Sequence, residues 1–137
     1  MAETIRKVDY FYIETPDKPG EGAKVLAALR DAGVSLVAFT GFPRARKAQL
    51  DFIPEDPVAF KAAARKAGVK LSAKKTGFLI QGEDRPGAIA DIMGKLAAVN
   101  VNVTASDAVC AGEGRYGAML WVKPADVRKA AKALGAT

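Results

Sequence analysis

Displaced by 67 residues, this sequence falls on itself. Phe11 meets Phe78, Ile13 meets Ile80, Asp17 meets Asp84, Pro19 meets Pro86 and Gly20 meets Gly87. The match continues through Ala23 and Ala90, Leu29 and Leu96, Val34 and Val101, and Pro57 and Pro124, as far as Ala63-Ala64 against Ala130-Ala131. A constant offset over such a span means one supersecondary unit used twice. The 137 residues are therefore expected to form two small repeats, 1–75 and 76–137, rather than one ordinary domain.

Within each repeat the periodicity changes in a fixed order. "KVDYFYIE" and "GFLIQ" are β-branched and aromatic, as strands are. Ala23, Leu26, Leu29 and Ala32 then recur at helical spacing, as do Ile89, Met93, Leu96 and Val99. Gly33 and Asn100 stand where a left-handed helix cap is expected. Two strands follow, "SLVAFTGF" and "AQLDFI" around the turn "PRARK", or "VNVTASDAV" and "YGAMLWV" around "AGEG". A second helix starts near Pro57 or Pro124, with Phe60, Ala63, Ala64 and Ala67, or Val127, Ala130, Ala131 and Leu134, on its apolar stripe. "VKLSAKK" reads as a closing strand for the first repeat, giving βαββαβ. The second repeat stops at βαββα, so its sheet is expected to borrow an edge from the other repeat or from another subunit. The fold class is α+β, ferredoxin-like, with antiparallel sheets and helices on one face.

Composition closes off several functions. Half the residues are hydrophobic and 26% are charged, a globular balance. No run reaches a membrane span and "MAETIRK" lacks a secretory signal's apolar core, so a cytoplasmic address and no membrane partner are expected. Cys110 is the single cysteine and histidine is absent, which leaves no intrachain disulfide, no usual zinc set and no imidazole base. No catalytic motif replaces them; a non-enzyme without cofactor or metal is expected. Cys110 itself is expected to be a buried or half-buried thiol, and Trp121 a core or interface residue. The net charge of +6 invites a nucleic-acid reading, but Lys61, Arg65, Lys66, Arg128, Lys129 and Lys132 fall on solvent faces of the expected helices. RNA-recognition domains share the topology. Here "RYGAMLWVK" puts Tyr116, Ala118 and Leu120 on one face and Gly117, Met119 and Trp121 on the other, so neither offers paired stacking aromatics. No nucleic-acid partner is expected.

The pattern Asp-x-Pro-Gly ends the first strand of both repeats, as Asp17-Lys18-Pro19-Gly20 and Asp84-Arg85-Pro86-Gly87. Structurally, aspartate suits an N-cap, proline the first helical turn and glycine a sharp strand-to-helix turn. Functionally, a side-chain-free glycine at a helix start leaves N–H groups open to a carboxylate on the positive end of the helix dipole. The nearby aspartate can then accept from an ammonium group.

A βαββα(β) repeat with Asp-x-Pro-Gly in its first loop resembles the ACT domain, and two in tandem from about Val8 to Leu134 resemble stand-alone tandem-ACT proteins. The resemblance implies an amino-acid-binding regulatory protein, assembled as a homodimer, with the ligand against the first strand-to-helix loop and often between ACT units. It also implies a contact from a polar residue 18 positions after the motif aspartate, Asn102 in the second repeat and Ser35 in the first. The second copy fits better, because Ile89 fills an apolar position that is Gly22 in the first, and Glu21 places a negative charge where a carboxylate would bind. The ligand-binding set so implied is Asp84, Gly87, Ala88, Ile89 and Asn102, with Asp17, Gly20 and Ser35 in the weaker copy. The rival class is a protein-interaction module that uses its sheet edges and holds no small ligand.

Overall fold

A computed structural model describes Glu3–Thr137. Its elements are β1 (Thr4–Pro16), α1 (Glu21–Asp31), β2 (Leu36–Arg44), β3 (Lys47–Pro54), α2 (Pro57–Lys66), β4 (Lys75–Glu83), α3 (Ala88–Ala98), β5 (Val103–Gly112), β6 (Arg115–Val122) and α4 (Val127–Leu134). The order βαββα occurs twice, and the class is α+β. The chain packs as two compact units, one of Asp9–Lys75 and the other of Thr76–Thr137 together with residues 3–8.

The four helix ends show how literally the repeat is built. After α1, the Gly33 N–H reaches the Arg30 carbonyl at 2.9 Å and the Val34 N–H reaches Leu29 at 3.0 Å. After α3, Asn100 reaches Ala97 and Val101 reaches Leu96, both at 3.0 Å. These are Schellman closures, and they need a left-handed residue: Gly33 lies at φ 75° and Asn100 at φ 59°. Gly68 after α2 and Gly135 after α4 make the same pair of bonds.

In the Asp9–Lys75 unit the strand order is β2-β3-β1. Phe11 pairs with Phe52 and Ile13 with Leu50 across β1 and β3, which puts all four on one face. With Leu29 and Phe60 they form the core. Phe60 of α2 meets the rings of Phe11 at 5.4 Å and Phe52 at 5.5 Å. The expected basic turn narrows to Ala45 and Arg46, both at positive φ, between the paired residues Arg44 and Lys47. "VKLSAKK" is not a strand, contrary to expectation. Its backbone pairing with β1 is confined to Ser72, whose N–H donates to the Tyr12 carbonyl at 2.9 Å and whose hydroxyl accepts from the Tyr12 N–H at 2.9 Å. A hydroxyl in the place of a carbonyl ends the ladder there.

The same sheet buries a carboxylate. Asp51 is 6% exposed and accepts from Gln49 Nε2 at 2.9 Å, while Gln49 Oε1 accepts from Arg44 at 2.8 Å. Burial raises its pKa above the ordinary 3.8, against the Gln49 hydrogen bond and the charges of Lys75 and Arg44. A raised folded-state pKa means the folded state binds more protons than the unfolded one, so stability falls as pH rises from 3.8 through the folded value. Urea denaturation across that window should show the decline in the native chain and a flatter profile in Asp51→Asn.

In the other unit the order is β1-β4-β6-β5, and here the shortfall of an edge is resolved within the chain. β1 begins at Thr4 whereas its repeat counterpart β4 begins at Lys75, so β1 carries extra residues that the 67-residue offset does not cover. Those residues belong to the unit of β4. Ile5 lies in its core with Phe78, Ile80, Ile92, Leu96 and Leu120. The Lys7 N–H donates to the Thr137 carbonyl at 3.0 Å, and the Thr137 N–H to Ile5 at 3.1 Å. Tyr116, Ala118 and Leu120 share one side of β6, as their alternation predicts, and that side faces the core. Trp121, on the opposite side, is 6% exposed. The basic residues Lys61, Arg65, Lys66, Arg128, Lys129 and Lys132 are all exposed. Among the described residues no helix is long and apolar enough to cross a membrane, and no cluster of side chains could hold a metal ion.

Candidate functional site

The two Asp-x-Pro-Gly turns take one shape. Gly20 (φ 92°, ψ −16°) and Gly87 (φ 82°, ψ 6°) are the N-caps of α1 and α3, both left-handed, and no side chain caps either helix. This corrects the expectation that the aspartate caps and the proline enters the first turn: both precede the cap. The contrast is α2, where Asp56 accepts from the Val58 and Ala59 N–H groups at 3.0 and 3.2 Å. At α3 the Ala88 N–H turns back to the Arg85 carbonyl at 3.3 Å. The uncapped donors of the first turn are therefore those of Ile89 and Ala90.

Ile89 and Ala90 are among the residues that line an open groove of about 250 Å³. Asp84, Arg85 and Gly87 form its loop side, and Ala88, Ile89 and Ala90 its helix side. Ala108, Val109 and Cys110 of β5 and Tyr116 of β6 form the rest. Cys110 and Tyr116 are partners in the β5–β6 register, which is why residues far apart in sequence from the loop converge on it.

The charged groups at the rim are mutually engaged. Arg85 Nη2 lies 2.7 Å from Asp91 Oδ2 in an exposed pair that solvent screens. Tyr116 Oη donates to Glu3 Oε2 at 2.6 Å; burial first, and then Glu3, raise the pKa of the phenol. The Cys110 thiol is also pushed up, chiefly by its hydrogen bond to the Asp84 carboxylate. Cys110 is exposed rather than buried, because β5 is an edge strand exposed along nearly its whole length. A thiol held protonated is a poor nucleophile.

Of the residues implied by the resemblance, Asp84, Gly87, Ala88 and Ile89 line the groove and Asn102 does not. Asn102 precedes β5, whose far half carries Ala108, Val109 and Cys110; six residues of strand, at about 3.3 Å each, set it roughly 20 Å from the nearest of them, Ala108. Ser35 likewise lies apart from Asp17 and Gly20, in a hollow with Gly33, Val34, Glu55, Asp56 and Ala59. Glu21 is engaged by Lys18 at 3.6 Å and Lys24 at 3.4 Å. Sequence reasoning missed Arg85, Cys110 and Tyr116 as groove residues. Arg85 stood inside the motif; the other two needed the strand register.

No protein-family model and no curated protein matches the chain. Solved structures do. A crystal structure of a Bacteroides thetaiotaomicron protein superposes with a TM-score of 0.78 at 20% identity, covering 97% of this chain and 88% of the other. The ligand-free regulatory subunit of aspartate kinase from Thermus thermophilus gives 0.63 at 20% identity, over 98% and 93% of the two chains. The regulatory subunit of aspartate kinase from Thermus flavus gives 0.59 at 19% identity, over 98% and 94%. At such identities the likeness establishes the fold, which is the ACT fold.

Proposed function

We propose that this chain is a non-catalytic regulatory module that binds a free α-amino acid at the second Asp-x-Pro-Gly turn. The observation that carries the reading is the groove itself, with uncapped N–H donors, a guanidinium and a carboxylate at one end and an apolar wall beyond them. The Ile89 and Ala90 N–H groups and Arg85 address the ligand carboxylate, Asp84 addresses its ammonium group, and Gly87 lets the backbone approach. At about 250 Å³ the groove is smaller than the roughly 300–1,000 Å³ of pockets for drug-sized ligands, as a single amino acid requires. The first turn, with Asp17 and Gly20, is a weaker site in this reading, because Glu21 there stands in place of Ala88. The fold it shares with aspartate kinase regulatory subunits supports a regulatory role.

Assembly as a homodimer and a cytoplasmic address belong to the same proposal. Edge strand β2 exposes Val37, Phe39 and Phe42, apolar surface suited to a second copy. Asn102 and Ser35 would reach a ligand only from such a copy. A thermal-shift panel of the twenty amino acids tests the reading: a ligand at 100 times its Kd stabilises by about 2.7 kcal/mol, several degrees of midpoint. No shift with any of them would contradict it.

A further inference from the structure

β2 and β5 are the same strand of the repeat, 67 residues apart, and each ends the strand order of its unit. Each therefore leaves a row of backbone N–H and C=O groups open to pairing, the hazard of an edge strand. β5 is blunted against it along its middle. Where β2 has Val37, Phe39 and Thr40, β5 has Thr104, Ser106 and Asp107. The Thr104 and Ser106 hydroxyls fold onto the Trp121 and Met119 carbonyls of β6, both at 3.0 Å, and Asp107 sets an exposed charge in mid-strand. β2 has no such device: Val37, Phe39 and Phe42 are exposed, Phe39 on the face of its register partner Phe52 and Phe42 on the opposite face beside Gln49. Its proline and its one charge, Pro43 and Arg44, stand at its end.

Resting on the homodimer proposed above, we infer that the second copy docks β2 against β2, antiparallel about a twofold axis, so that the sheets of two Asp9–Lys75 units become one, and that β5 takes no part. Charge selects this arrangement. An antiparallel pair sends the basic tips of the two copies, Arg44, Arg46 and Lys47, to opposite ends, whereas a parallel pair would set them side by side. Pairing β2 with β5 of another copy would bring the Asp107 carboxylate to the uncharged middle of β2, where it gives up water without gaining a counter-charge.

Light scattering at micromolar concentration tests this on the native chain, Val37→Lys, Phe42→Lys and Ala105→Lys, with circular dichroism to check that each is folded. All three positions are exposed and lie outside both cores. The native chain and Ala105→Lys should have the mass of two chains, because an isologous pair closes there. Val37→Lys and Phe42→Lys should weaken the dimer at least about tenfold, toward the monomer. A native dimer that persists in both β2 variants, or that dissociates in Ala105→Lys, overturns the β2 pairing while leaving the homodimer intact. A native mass above two chains overturns the closed pair. A native monomer overturns the homodimer itself, and the β2 edge is then open to a strand of another protein rather than to a second copy.

Discussion

Ile5→Ala is expected to destabilise the unit of Thr76–Thr137 by about 2–5 kcal/mol, the usual cost of truncating a buried isoleucine. Ile5 is 8% exposed and lies in the core formed by α3, α4, β4 and β6, although it precedes the first of these by some seventy residues of sequence. Arg6→Ala and Lys7→Ala, neighbours whose side chains are exposed, should stay within about 0.5 kcal/mol. Thermal or urea denaturation of the three variants separates a closing strand from a frayed terminus. Equal, small effects at all three positions would mean that the N-terminal extension of β1 contributes nothing to the second sheet.

Gly87→Val should cost about 1–3 kcal/mol and abolish ligand stabilisation. The cost is purely one of backbone conformation. A Cβ at Gly87 meets no atom within 4 Å, but the residue sits at φ 82°, where a β-branched side chain is strained. Gly94 is the internal control. It lies inside α3, also with open space around it and without a positive φ, so Gly94→Ala should stabilise by about 0.5–1 kcal/mol. Opposite signs from two glycines seven residues apart would identify the turn as the constrained element. If both substitutions stabilise, the left-handed turn is not required.

Local rules carried much of this fold. Positive φ at Gly20, Gly87, Gly33 and Asn100 follows from residue type and position, and the 67-residue offset reproduces it unit by unit. The alternation grouped Tyr116, Ala118 and Leu120 on one face of β6 without saying which face was the core; it is the one packed into the core. What escaped depends on pairing between distant segments. Thr4–Lys7 lie outside the repeat, so no internal comparison assigns them a partner. "VKLSAKK" has strand-like composition, but Ser72 offers its hydroxyl to the Tyr12 N–H and no ladder forms. Cys110 looked buried because cysteine usually is; β5 is exposed along nearly its whole length, and its place at the end of the sheet order is not legible in the local sequence. Asn102 was carried to the site by a fixed distance along the chain, whereas helix α3 (Ala88–Ala98) spends most of that distance running away from the turn.

Whether an amino acid occupies the groove can be read residue by residue from amide chemical shifts during a titration with the ligand that gives the largest thermal shift. The account predicts saturable perturbations concentrated at Gly87, Ile89, Ala90, Val109 and Cys110, with the smaller response of the first turn at Gly20 appearing at higher concentration or not at all. Saturable shifts centred on any other surface, with the amides of Ile89 and Ala90 unmoved, would contradict it.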